Sequence, residues 1–84
     1  MNKQRINLGE IRKVAVQFNL QTIRECQLQA MNNQDNVCYS AAGTEAVMNV
    51  LAKAEFVRNK MEKGIQSNDA IRELGKRIRS FQAS

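Results

Sequence analysis

Histidine, proline and tryptophan are absent from this chain, and cysteine (two), glycine (four) and aromatic residues (three Phe, one Tyr) are scarce. Without histidine the chain lacks the commonest general base and a frequent metal ligand. Cys26 and Cys38 have no second Cys or His close to either, so zinc-binding spacing is missing. Gly9, Gly43, Gly64 and Gly75 are scattered singly, so no glycine-rich loop can cradle a phosphate. No apolar run approaches the roughly 20 residues that span a bilayer. The first ten residues are charged and no apolar core follows them, so no secretory signal is expected. These absences point away from an enzyme. No catalytic residue, metal, cofactor or small-molecule substrate is expected, and the cytoplasm is the expected compartment. There the two thiols are expected to stay free, with a disulfide as the lesser alternative. Cys26 is assigned to the core and Cys38 to a loop. A thiolate nucleophile at Cys38 is the weaker reading, because no partner base is visible.

What is present suits one small helical domain over residues 1–84. Val, Ile, Leu and Ala are interspersed with charged and amide side chains, at 43% hydrophobic and 25% charged residues. A chain of this length buries roughly 60% of the surface it exposes when unfolded. Its stability is therefore expected to be modest, and a second copy would add to it. The net charge of +5 is unevenly placed. Residues 1–13 carry Lys3, Arg5, Arg12 and Lys13 against Glu10, a net +3. Residues 25–55 carry Glu25, Asp35, Glu45 and Glu55 against Lys53, a net −3. Residues 58–79 carry seven cations against Glu62, Asp69 and Glu73, a net +4, and Arg24 supplies the rest. Basic ends around an acidic middle attract phosphate, or the acidic middle of another copy.

Periodicity predicts an all-α fold of four helices with a longer third. Asn7 and Glu10 form a capping box, stapled by Ile6 and Ile11, for a helix at about 8–18. Ile11, Val14, Ala15 and Phe18 share one face of it. Asn19 reads as a stop in the left-handed region, and Thr22 with Glu25 as the capping box of a second helix. That helix places Ile23, Cys26 and Ala30 on its stripe, with Leu28 and Met31 round the side, and ends near Asn32. Residues 32–43 are the least helical and are expected to be irregular, with a short extended piece at Val37–Tyr39 as one option. Thr44 reads as the N-cap of the third helix, about 45–63, with Gly64 just past its end. Ser67 caps the fourth, about 68–81, whose seam is Ile71, Leu74, Ile78 and Phe81. Gly75 near that seam suggests close approach of a neighbouring helix.

Two functional readings follow. The third helix carries Val47, Val50, Leu51, Ala54, Val57 and Met61 on one face and Met48, Ala52 and Phe56 on the other. Two apolar faces imply a helix central to the domain, or one whose second face meets a partner. Met48, Ala52 and Phe56 are thus the candidate interface of a non-enzymatic, self-associating module, or of one that binds another protein. The alternative is a DNA-binding helix-turn-helix in residues 10–31. Ala15 and Asn19 stand at its usual spacing, Gln21, Arg24 and Gln27 would read base edges, and Arg12 and Lys13 would hold phosphate. The stretch Thr22-Ile23-Arg24-Glu25 resembles the start of the recognition helix in MerR-type regulators, which implies DNA binding. It departs from that family in a corner two residues shorter. Against the motif, Glu25 falls where a second helix wants an apolar residue, and Asn19 replaces the preferred glycine.

Overall fold

The computed structural model describes residues 8–83, and their side chains as far as Arg79. The predicted cap at Asn7 and the staple residue Ile6 lie outside the described residues, as does the Phe81 side chain. Four helices run in order: α1 (Leu8–Gln17), α2 (Leu20–Met31), α3 (Thr44–Glu62) and α4 (Ser67–Ala83). No strand occurs among the described residues, so residues 32–43 are irregular and the extended option at Val37–Tyr39 is not taken.

The caps differ in detail from those expected. Asn19 is extended (φ −84°, ψ 174°), and its Oδ1 accepts from the Thr22 backbone N–H at 2.8 Å. It is the N-cap of α2, not a left-handed stop. Thr22 consequently sits inside the first turn, and Glu25 instead accepts from Gln21 Nε2 at 3.5 Å. Both readings satisfy an orphan N–H, and the one that starts the helix three residues earlier adds a turn of backbone hydrogen bonds. Gly43, not Thr44, is the N-cap of α3. The Thr44 hydroxyl donates to Asn33 Oδ1 at 2.8 Å, tying the start of α3 to the end of α2. Likewise Ser67 is already helical in α4.

Two helix ends close in the same way. After α2, Asn33 takes a left-handed φ of 59°; its N–H bonds to Ala30 O and that of Gln34 to Gln29 O. After α3, Gly64 takes φ 98°; its N–H bonds to Met61 O and that of Ile65 to Lys60 O. Each pair satisfies two otherwise orphaned carbonyls. Gly75 plays no such role. A Cβ built there would meet, among the described residues, only the Arg79 guanidinium of its own helix at 3.5 Å. The expected close approach of a neighbouring helix is therefore not found there.

α3 is the hub. It packs against α1, α2 and α4, and α1 also touches α4. Val47, Leu51, Ala54 and Val57 of α3 are buried against Ile11, Val14 and Ala15 of α1, Ile23, Cys26 and Ala30 of α2, and Ala70 and Leu74 of α4. The alanines Ala15, Ala54 and Ala70, all with no exposed surface, let helix axes approach closely. Because α1 and α2 each lie on α3 far more than on one another, the corner at Phe18–Asn19 joins two neighbours of a third helix.

The irregular link is held down at three points. Asn36 Oδ1 accepts from the backbone N–H groups of Cys38 and Tyr39, each at 2.9 Å. Tyr39 is half-buried against the core. Cys26 and Cys38 are joined as a disulfide with a Cα separation of 6.3 Å, and no free cysteine remains. This overturns the expectation of free thiols and removes Cys38 as an available nucleophile. Cys26 is indeed buried, as its place on the apolar stripe of α2 required.

Candidate interaction surface

A surface that binds something must be free of its own chain, and that test sorts the expected residues. Met48 and Phe56 are half-buried and packed against the core, while Ala52 is exposed. Phe56 is further covered by two cations: Lys60 Nζ lies 5.4 Å and Arg77 Cζ 5.1 Å from its ring centroid. Cations over an aromatic face contribute about 0.5–1 kcal/mol each at such partly exposed sites. The structure thus spends much of this second apolar face of α3 inside the domain.

The freest large apolar side chains lie elsewhere. Leu28 and Met31 on α2 are 60% and 61% exposed, Val37 in the link is more so, and Val16 on α1 less. Leu28 and Met31 stand three apart and so share a face. Their place off the main α2 stripe was the available sequence signal. It was overshadowed by the longer run on α3.

Polar contacts fix how α2 lies on α3. Arg24 Nε donates to Glu55 Oε2 at 2.9 Å, and Gln27 Nε2 donates to Glu55 Oε1 at 2.8 Å and to Leu51 O at 3.5 Å. Residues advancing along α2 thus meet residues receding along α3, an antiparallel pair. Leu28 lies on the side of α2 turned away from the buried Ile23, Cys26 and Ala30, and Met31 lies round the helix from it. The two exposed apolar side chains of α2 thus stand apart from the polar contacts by which the helix lies on α3.

Glu55 carries the electrostatics of the α2–α3 contact. The Gln27 amide and then the Arg24 guanidinium hold its carboxyl below the ordinary value of 4.5, against a smaller opposing effect of burial. A carboxyl lowered in the fold stabilises the protein fully above its unfolded pKa, and that stability is lost as pH falls through the folded pKa. As pH falls below 4.5 and through the lowered folded pKa, the wild type should therefore lose stability that Glu55→Gln does not lose at this position. Urea unfolding midpoints across that range provide the check. Equal acid slopes for both proteins would remove Glu55 from the account.

The residues of the DNA-binding reading are dispersed. Arg24 and Gln27 are turned onto Glu55 of α3, Gln21 is exposed near Glu25, and Arg12 and Lys13 are exposed on α1. Base reading by Arg24 and Gln27 would require breaking the α2–α3 contacts just described. An open, mostly polar cleft of about 400 Å³ lies between the end of α2, the link and the start of α3, lined by Asn33, Asn36, Tyr39, Ser40 and Thr44 among others. No family model matches this chain, and neither a curated protein nor a solved structure matches it. No helix among the described residues is long and apolar enough to cross a membrane.

Proposed function

We propose that the chain is a small, basic, non-enzymatic helical module that associates with a second copy of itself through the exposed face of α2. The observation that carries this reading is the pair Leu28 and Met31, each about 60% exposed on one face of α2. The interface centre expected at Met48, Ala52 and Phe56 moves by one helix. Met48 packs against the core, and Phe56 belongs to the packing of α3 with α4.

A second copy fits this face because the face complements itself. Two α2 helices crossing antiparallel about a two-fold axis at Leu28 set each leucine on its twin and each Met31 within a turn of Glu25 and Arg24. Gln21, Glu25 and Asn32 then form a polar rim. One 12-residue helix meeting its twin covers less than the roughly 1,200 Å² of a standard stable interface. The dimer should accordingly be weak, with a dissociation constant in the micromolar to millimolar range.

Sedimentation equilibrium over about two decades of concentration tests this. The wild-type average mass should rise toward twice the monomer. The double variant Leu28→Asp, Met31→Asp should remain monomeric with unchanged helicity, since both side chains are exposed in the single chain. A wild type that stays monomeric throughout, or a variant that dimerises equally, rejects the proposal. Phe56→Asp is a poorer probe because it also disturbs the contacts with Lys60 and Arg77.

A further inference from the structure

The ion pairs divide the charges of this protein into those it uses and those it leaves free. Glu55 holds Arg24, Glu62 holds Arg58, Glu73 holds Lys60 and Asp69 holds Arg72. Past Glu73, α4 has no carboxylate, and its sequence runs Leu-Gly-Lys-Arg-Ile-Arg to Arg79. Leu74 is buried and Ile71 and Ile78 are half-buried, so the core lies on their side. Arg72, Lys76 and Arg79 follow at i, i+4 and i+7 on the opposite side, and all three are exposed. Lys76 and Arg79 have no ion pair among the described residues, and neither do Arg12 and Lys13 on α1, the helix that packs beside α4.

From this arrangement we propose that the outer face of α4, supported by α1, binds the phosphate backbone of duplex nucleic acid without reading its sequence. Lys76 and Arg79, with Arg72 beside them paired to Asp69, lie within about 10 Å along one helix and face a backbone that presents a charge every few ångströms. A membrane surface fits less well, because α4 exposes no large apolar side chain among its described residues. Single strands are usually held by exposed aromatic platforms. Phe18, Tyr39 and Phe56 are all at least partly covered. The acids of a second copy that the described ion pairs leave over on residues 25–45 (Glu25, Asp35 and Glu45) are spaced ten apart in sequence, a poorer match than a regular polyanion. This surface differs in helix and residues from the helix-turn-helix of residues 10–31, and it does not depend on the exposed face of α2.

The test is fluorescence anisotropy with a labelled duplex of arbitrary sequence, about two turns long, at low and at physiological salt. Wild type should bind at low salt and weaken steeply as salt rises, and an unrelated duplex sequence should bind equally. Lys76→Glu with Arg79→Glu should weaken binding at least about tenfold, and the neutral pair Lys76→Gln, Arg79→Gln should lower the salt slope by about 2, near one unit per lost contact. Arg24→Ala, on α2 and paired with Glu55 of α3, should bind as wild type does. No binding by folded protein at low salt overturns the proposal, as does unchanged binding by the charge-reversed variant. So does displacement of the duplex by polyglutamate, or capture by phosphatidylserine vesicles, as effectively as by unlabelled duplex. The neutral variant Leu28→Ser, Met31→Ser, which removes the dimer contact without adding charge, should bind duplex as wild type does at the level of one subunit, which separates the two proposals.

Discussion

Leu51→Ala should lower the unfolding free energy by about 2–5 kcal/mol, enough to remove much or all of the stability of a domain this small. Leu51 has no exposed surface and sits on the face of the helix that touches every other helix. Truncating it deletes buried methyl groups and leaves a cavity. The backbone carbonyl of the same residue accepts from Gln27, which limits how far α2 can slide to fill the gap. Chemical denaturation with a helicity readout measures the loss. A change below about 1 kcal/mol would mean that the core is not centred on α3.

Removal of the disulfide should have the second largest effect. The bond closes a loop between residues twelve apart, and in the chain-entropy account such a closure is worth about 3 kcal/mol. Cys26→Ala with Cys38→Ala, or reduction of the wild type, should shift the denaturation midpoint accordingly. The unfolding should remain cooperative, because the helices keep their own core. Local effects should centre on residues 32–43, where the bond supplements the Asn36 turn and the Thr44–Asn33 contact. Thiol titration of the unreduced protein under denaturing conditions should find no free thiol. Two reactive thiols per chain, with a stability unaffected by reductant, would contradict the pairing.

The helical architecture was legible because the apolar positions keep a helix's period over long stretches. Ile11, Val14 and Ala15 declare α1, and the doubled face of α3 declares its central place. Cap assignment was harder at Asn19 and Thr22, two good capping residues separated by one turn. Asn19 takes the role through its bond from the Thr22 backbone N–H, which leaves Thr22 inside the first turn. The Cys26–Cys38 bond was not legible. Spacing along the chain says nothing of the path by which the link folds back over α2. The candidate surface was half legible. Leu28 and Met31 stand off the α2 stripe by their spacing, but the cover over Phe56 comes from Arg77, on a different helix and far along the chain. Arg24 and Gln27 illustrate the same limit. Their residue types suit base edges, yet a single carboxylate on α3 claims both.

The claim that Leu28 and Met31 form the contact between two copies is tested most directly by amide chemical shifts of labelled protein over a dilution series. Shifts that move with concentration should cluster on residues 21–32, and should stay fixed in Leu28→Asp, Met31→Asp. A spectrum that is independent of concentration, or changes confined to α1 and α4, would contradict it.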